Sequence, residues 1–169
     1  MLPEPNGPTL SEHGRYRYSL WRELDQAVAG WLRETVMFVL LNPSTADATR
    51  DDPTVRRCRG FASAWGYARF EVYNVFAWRA TDPAALWAAA ACGEDVIGPE
   101  NDAVLEAGAR RVNLVVCAWG QHAGRWYRSR QVAALLTRIR ITLGPAPWLH
   151  VLKLSPRTHE PVHPLYLPA

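Results

Sequence analysis

Lysine is almost absent from this sequence, and long apolar runs are absent altogether. Lys153 is the single lysine among 19 basic residues, so nearly all of the positive charge is carried by arginine. Arginine suits bidentate recognition of phosphate and carboxylate groups, although a genomic bias in base composition would enrich it equally. The net charge of +3 therefore permits nucleic-acid binding without requiring it.

The apolar residues are too dispersed for a membrane protein. No segment approaches the roughly 18 apolar residues of a membrane span, and residues 1–8 have no apolar core of signal-peptide length. We therefore expect a cytoplasmic protein that does not bind membranes. With 169 residues, 49% hydrophobic and 21% charged, the chain suits one globular domain over residues 15–169, after a flexible lead of residues 1–14.

Several motifs of metal, redox and nucleotide chemistry are missing. The three cysteines, Cys58, Cys92 and Cys117, are far apart, so we expect buried thiols instead of disulfides or a Cys-x-x-Cys site. Pro161 separates His159 from His163 and spoils a helical metal pair, and we expect neither a metal nor a cofactor. The sequence has no Gly-rich phosphate loop, which argues against nucleoside triphosphate hydrolysis. It also has no Gly-x-Ser-x-Gly elbow, which makes an esterase less favoured.

Strand and helix patterns alternate along the chain. Residues 15–21 alternate polar and apolar side chains, which predicts an edge strand with Tyr16, Tyr18 and Leu20 facing inward. An apolar run at 36–41 predicts a strand buried on both faces, as in a parallel sheet, and 112–118 predicts another buried strand. Further strands are predicted at 70–77 and 148–152. Helices are expected at 26–34, 52–65, 83–91, 99–110 and 126–140. The second should begin at Asp52, with Pro53 in its first position.

This alternation predicts a three-layer α/β/α sandwich with a central, mainly parallel four-stranded sheet and a possible N-terminal edge strand. Ligands of such sheets bind beyond the carboxyl ends of the strands. We therefore predict that the polar or aromatic residues following the strands, Asn42, Asn74, Trp119 and His163, converge on one cavity. Each also has an ordinary explanation: a turn, a satisfied core amide, a core aromatic and a hydrogen-bonded tail residue.

Several motifs carry a family resemblance. They are Tyr16-Arg-Tyr-Ser-Leu-Trp21, Leu41-Asn-Pro-Ser-Thr-Ala-Asp47, Asp52-Pro-Thr54, Gly66-Tyr67, Tyr73-Asn74, Ala118-Trp-Gly120 and Pro161-Val-His-Pro-Leu-Tyr166. From about Arg15 to the C-terminus the chain resembles the bacterial and phage family called domain of unknown function 1643. More distantly, the same order of motifs is similar to the uracil-DNA glycosylase superfamily, whose fold is a four-stranded parallel sheet between helices.

The distant resemblance implies roles for individual residues. In that superfamily an Asp-Pro or Asn-Pro motif positions the attacking water, which Asn42 would do here. A strand asparagine reads the edge of the flipped uracil, a role that falls to Asn74. The superfamily's Trp-Gly and His-Pro motifs match Trp119-Gly120 and His163-Pro164.

The chemistry of glycosidic cleavage suits these residue types. The reaction needs a flipped base held by its polar edge, a placed water, and donors for the charge that develops on the leaving base. Asn74 could pair with N3–H and O4 of uracil, and His163 could donate to O2. Asn42 is no strong base and would only orient water.

Two features depart from the superfamily pattern. Ser44 stands where efficient uracil enzymes carry a bulky aromatic residue. The loop after His163 reads Leu165-Tyr-Leu-Pro168, in which Leu167 could act as the wedge that kinks DNA.

Our leading hypothesis is a glycosylase-like hydrolase of the DNA-repair kind, acting on DNA or a free nucleotide. Catalysis is assigned to Asn42, His163 and Asp47, and substrate binding to Asn74, Ser44, Trp119, Gly120 and Tyr166. Nucleic-acid contacts are assigned to Arg50, Arg56, Arg57, Arg157 and Leu167, and the arginines should border the cavity. Two rivals stay open: a non-catalytic nucleobase or nucleotide binding module, and a hydrolase or transferase that uses Asp47, Asp51 or Asp52 as its base.

Overall fold

A computed structural model describes residues 6–24, 34–44, 50–144 and 147–168. They form a mixed α/β fold. The strands are β1 Asn6–Leu10, β2 Arg17–Glu23, β3 Thr35–Leu40, β4 Arg69–Asn74, β5 Leu114–Cys117 and β6 Trp148–Val151. The helices are α1 Pro53–Ala64, α2 Pro83–Ala91, α3 Asn101–Ala109 and α4 Arg128–Leu143, with short 3₁₀ helices at Gln121–Tyr127 and Pro164–Tyr166.

The sheet has six strands in the order β1-β2-β4-β3-β5-β6. Strands β4, β3, β5 and β6 pair in parallel, as the apolar runs predict. Strands β1 and β2 add two antiparallel pairings at one side, so the sheet is larger than the predicted one. The prediction that residues 15–21 form an edge strand is wrong, because β1 covers the outer side of β2.

The predicted flexible lead is also wrong for residues 6–10, which form β1. Their backbone pairs along β2, from Asn6 opposite Arg22 to Leu10 opposite Arg17. Gly7 fits beneath the Trp21 ring, where an added Cβ would lie only 3.2 Å from the nearest ring atom. A Pro- and Gly-containing segment can thus form an edge strand, which tolerates both residues.

Two hydrophobic clusters cover the two faces of the sheet. Alternate side chains of β3 point to opposite faces. Val36, Phe38 and Leu40 pack with Val55, Cys58 and Ala62 of α1. The intervening side chains of β3 pack with residues of α2, α3 and α4, among them Leu86, Leu105 and Leu136. The helices therefore form layers on both sides of the sheet.

The helix limits follow local capping signals. α1 begins as predicted, because the Asp52 carboxylate accepts a hydrogen bond of 2.8 Å from the Val55 backbone N–H. α4 begins at Arg128, two residues later than predicted, because Trp126 and Tyr127 have positive φ angles of 51° and 58°. The helix predicted at 26–34 lies outside the described residues, apart from residue 34.

The cysteine prediction is confirmed for two residues. Cys58 and Cys117 are buried free thiols, whereas Cys92 is exposed. The prediction is wrong for Cys92 because it caps the end of α2, a helix of which only Leu86 is buried. None of the helices that the structure describes is long and apolar enough to cross a membrane.

Candidate functional site

A cavity of about 440 Å³ lies at the carboxyl ends of the parallel strands. Its volume is within the roughly 300–1,000 Å³ range of small-molecule sites. It is lined by the segments that follow β3 and β5, the start of α1, the last residue of β4 and the C-terminal segment. Seven of the predicted site residues line it: Asn42, Ser44, Asn74, Trp119, Gly120, His163 and Tyr166.

Asn74 provides a buried amide at this cavity. It ends β4 and is 1% exposed, and its backbone carbonyl accepts from Asn101 Nδ2 at 3.0 Å. Neither Nδ2 nor Oδ1 of Asn74 has a hydrogen-bond partner among the described residues. Buried polar side-chain atoms are nearly always partnered, and each lost bond costs about 1–3 kcal/mol. The amide therefore offers one donor edge and one acceptor to a ligand.

Asn42 is held by hydrogen bonds to backbone. Its Nδ2 donates to the Ala80 carbonyl at 2.9 Å and to the Pro43 carbonyl at 3.2 Å. Both N–H bonds of this amide are thus in use. What Asn42 offers to a bound molecule is its Oδ1, which can only accept hydrogen bonds.

His163 is a neutral imidazole in this site. Burial lowers the pKa of its side chain to about 4, although the nearby Asp52 carboxylate acts in the opposite direction. Nδ1 accepts a hydrogen bond of 3.4 Å from the Leu165 backbone N–H, so the neutral ring carries its proton on Nε2. The Tyr166 ring lies 6.0 Å away and is 82% exposed. His163 therefore acts as an uncharged donor at neutral pH.

Among the described residues two carboxylates line the cavity, and both accept hydrogen bonds from protein groups. Asp52 accepts from the Val55 backbone N–H at 2.8 Å and, through a short bond, from Ser44 Oγ. Glu160 accepts from Trp119 Nε1 at 2.8 Å and from Ser129 Oγ at 2.7 Å. These bonds position Ser44 and Trp119 in the wall.

Gly120 joins two segments of the cavity wall. Its N–H donates to the Pro161 carbonyl at 2.8 Å, and its φ angle is +78°. An added Cβ would lie 3.4 Å from the Cβ of His163. A residue with a side chain would be strained at this φ angle, and its Cβ would contact His163.

Arg17 is a cavity residue that the sequence analysis missed. It is 2% exposed, and burial lowers its pKa to about 10, against the opposing effect of Asp52. The alternating pattern of residues 15–21 placed Arg17 on the solvent side of an edge strand. In the structure four consecutive residues of β2, 17–20, are buried, so both faces of this part of the strand are covered. Glu160 was missed as well, and no local pattern marks it.

The predicted nucleic-acid contacts lie outside the cavity lining. Arg50, Arg56 and Arg157 are exposed, and none of the four predicted arginines lines the cavity. The Arg57 guanidinium donates to the carbonyls of Leu167 at 3.1 Å and Pro168 at 2.6 Å, so it fastens the C-terminal segment to α1. Their roles in nucleic-acid binding stay predictions.

The acidic residues near the first motif differ in their surroundings. Asp47 lies outside the described residues. Asp51 forms ion pairs with Arg22 at 2.8 Å and Arg59 at 3.0 Å. Within residues 6–24, 34–44, 50–144 and 147–168, no group of three or more His, Cys, Asp or Glu side chains could hold a metal ion.

Comparison with known proteins gives one match. The sequence profile of a family described as "Protein of unknown function (DUF1643)" matches residues 17–165. No curated protein and no solved structure matches the chain at a significant level.

Proposed function

Since this chain belongs to the DUF1643 family of proteins of unknown function, its function has to be argued from the cavity, and we propose a glycosylase-like nucleobase pocket. The base would lie against Asn74, and the reaction would be hydrolysis of an N-glycosidic bond in DNA or a nucleotide. The single observation that carries the proposal is the buried Asn74 amide, whose donor and acceptor lack partners among the described residues.

The Asn74 amide fits the edge of a pyrimidine such as uracil. An amide places a donor and an acceptor side by side, and uracil presents O4 and N3–H in the same spacing. Nδ2 would donate to O4 while Oδ1 accepts from N3–H. Because these groups are buried, a ligand that lacks one partner would leave a polar atom unsatisfied, so the cavity would discriminate between bases.

Two further residues fit the cleavage step. Asn42 Oδ1 would accept a hydrogen bond from a water molecule and orient it towards the sugar carbon. As the bond between that carbon and the base nitrogen breaks, negative charge develops on the base, and His163 Nε2–H would donate to O2. The water supplies a hydroxyl to the sugar and its proton to the released base.

The sheet supports the distant likeness to uracil-DNA glycosylases. Strands β4, β3, β5 and β6 form a four-stranded parallel sheet with helices on both faces. The residues that would correspond to the water-positioning, base-reading and His-Pro motifs line one cavity. Two additional antiparallel strands distinguish this chain from that arrangement.

A second candidate function is nucleobase binding without turnover. The cavity carboxylates Asp52 and Glu160 each accept two hydrogen bonds from the protein. These bonds hold both carboxylates in the cavity wall, where positioning Ser44 and Trp119 competes with a role as general base. Asn42 cannot replace them as a base, which favours a slow enzyme or a sensor.

Base release from oligonucleotides separates the two functions. The purified protein is incubated with strands bearing uracil, hypoxanthine, xanthine or mismatches, and abasic sites are revealed by alkaline cleavage. We expect strand breaks with wild type that are lost in Asn42→Ala and His163→Ala. His159→Ala is the matched control, because His159 is exposed and lies outside the cavity lining.

The outcomes of this experiment are distinct. Breaks that persist in both cavity variants would contradict the assigned roles. Retention of a base or nucleotide without any break would support the binding module. Absence of both would overturn the nucleobase pocket.

A further inference from the structure

A cluster of aromatic and arginine side chains adjoins the cavity. We call it the aromatic–arginine patch and define it as Trp87, Arg125, Trp126, Tyr127 and Arg130. His122 connects it to the cavity: His122 lines the cavity, and its ring centroid lies 6.5 Å from that of Trp87. The Trp87 ring in turn lies 5.7 Å from the Trp126 ring. The patch thus extends outward from the cavity wall.

The patch exposes large rings together with positive charge. Trp126 is 51% exposed and Tyr127 is 68% exposed. The Arg125 guanidinium carbon lies 4.7 Å from the centre of the Trp87 ring, and that of Arg130 lies 5.7 Å from the Tyr127 ring. Large exposed rings are disfavoured on a surface that faces only water, and arginines interleaved with them suit an anionic partner.

The backbone of the patch adopts an uncommon conformation. Trp126 and Tyr127 are consecutive and both have φ angles in the left-handed region, 51° and 58°. This region is unfavourable for bulky residues, and such strain is concentrated at functional sites. A helix that began at Trp126 would avoid the strain, so the local conformation is imposed by the surrounding structure.

We propose that the aromatic–arginine patch is a stacking platform for single-stranded nucleic acid, whose target nucleotide enters the adjacent cavity. This proposal rests on the nucleobase pocket and names its substrate as a strand instead of a free nucleotide. Every base has a flat face that can stack on an exposed aromatic ring, while Arg125 and Arg130 meet the phosphates. Neither Arg125 nor Arg130 is among the four arginines expected from the sequence.

Binding of a strand and of a nucleoside tests the platform separately from the pocket. The probes are a single-stranded oligodeoxynucleotide containing one deoxyuridine, and free deoxyuridine. We expect Tyr127→Ala and Trp126→Ala to weaken strand binding about tenfold each and to leave nucleoside binding unchanged. Arg130→Gln should reduce the slope of log affinity against log salt by about 0.7, the value for one phosphate contact on a single strand.

Trp148→Ala is the matched control. Trp148 is 52% exposed and lies under Arg140 at 4.8 Å, but it begins β6 at the opposite, amino end of the parallel strands. We expect this variant to bind both probes as wild type does. Melting temperatures accompany every measurement, because Trp126 also packs edge-on against Phe76 at 6.0 Å. If the Trp126→Ala variant does not fold, the strand affinity of Tyr127→Ala alone tests the platform.

The results separate the two proposals. If deoxyuridine binds but Tyr127→Ala binds the strand as tightly as wild type, the platform is overturned and the pocket stands. If the strand binds in a Tyr127-dependent way but deoxyuridine does not compete for it, the platform stands and the nucleobase pocket fails. If Tyr127→Ala and Trp148→Ala weaken strand binding equally, the platform is also overturned, because stacking would then not be confined to the aromatic–arginine patch.

Discussion

Strand β4 carries buried polar side chains near both of its ends, in different surroundings. Towards the amino end, Glu71 is 6% exposed and accepts from Arg69 at 3.0 Å, Tyr73 Oη at 2.7 Å and Arg111 at 3.4 Å. At the carboxyl end, the Asn74 side chain has no partner among the described residues. The protein satisfies the first group itself and leaves the second unpartnered within the described residues, where we propose that a ligand binds.

This difference separates residues that stabilise the fold from residues that serve a ligand. A buried, partnered carboxylate contributes to stability because its partners would otherwise be left unsatisfied. A buried, unpartnered amide lowers the stability of the ligand-free protein. Substitutions at the two ends should therefore change stability in opposite directions, and four predictions follow from that contrast, from the largest to the smallest effect.

Removal of Glu71 should have the largest effect on stability. Glu71→Ala leaves Arg69, Arg111 and Tyr73 without their common acceptor, and we expect a loss of about 3 kcal/mol in the free energy of unfolding. Urea denaturation measures the loss. Ligand binding by the folded fraction should be unchanged. A loss below about 1 kcal/mol would remove the contrast between the two ends.

Protonation of His163, at the carboxyl end of the parallel strands, should lower the free energy of unfolding in acid. Its folded pKa of about 4 lies below the ordinary value of 6.5, so the unfolded chain binds the proton first as pH falls. The stabilising contribution is complete above about pH 6.5 and is lost as pH falls towards 4. We expect this loss to be about 2 kcal/mol, since the ring is partly exposed.

The variant His163→Gln isolates this contribution. Between pH 6.5 and 4 its stability should fall less steeply than that of wild type, in paired urea titrations. Parallel curves for the two proteins would mean that His163 titrates normally and carries its charge near pH 6.

Removal of the Asn74 amide should stabilise the ligand-free protein. Asn74→Val replaces an unpartnered amide at the end of a strand with a residue that strands favour. We expect a gain of about 1–2 kcal/mol in the free energy of unfolding together with loss of base binding. Calorimetry of both proteins measures the gain. A stability loss of that size would place Asn74 in a structural network instead.

The smallest effect concerns the glycine that joins two cavity segments. Gly120→Ala places a side chain at a φ of +78° and close to His163, and we expect a loss of about 1 kcal/mol and weaker ligand binding. Gly66→Ala is the control, because Gly66 has a φ of +80° with no atom within 4 Å of an added Cβ. It should lose the same stability and keep ligand affinity. Equal affinities would show that the Gly120 contact is not part of the site.

Local signals predicted the elements that depend on nearby residues. Asp52 and Pro53 mark the start of α1, and apolar runs mark the buried strands β3 and β5, because capping and burial on both faces leave patterns within a few residues. Because ligands bind at the carboxyl ends of such strands, we predicted that Asn42, Asn74 and His163 meet at one cavity, and all three line it.

Other features depend on contacts between distant segments. Arg17 lines the cavity because β2 is buried on both faces, which the alternating pattern of residues 15–21 did not predict. The Pro- and Gly-containing segment of β1 likewise gives little sign of a strand. The left-handed conformations of Trp126 and Tyr127 contradict the local preferences of these residues. The sequence pattern therefore predicted that α4 begins at residue 126, two residues too early. Glu160 belongs to the site through Trp119 and Ser129, which lie far from it in sequence.

The base preference of Asn74→Asp tests most directly whether Asn74 reads a ligand edge. The carboxylate removes two donors and adds an acceptor at nearly constant volume. Wild type and variant are titrated with deoxyuridine and deoxycytidine. We expect the variant to bind deoxyuridine more weakly than wild type by about 1–3 kcal/mol. It should instead prefer deoxycytidine, whose exocyclic amine can donate a hydrogen bond to the carboxylate. Burial of an unpartnered carboxylate should lower the melting temperature, so affinities are compared per folded molecule. Unchanged base preference per folded molecule would contradict the account and make Asn74 a core residue.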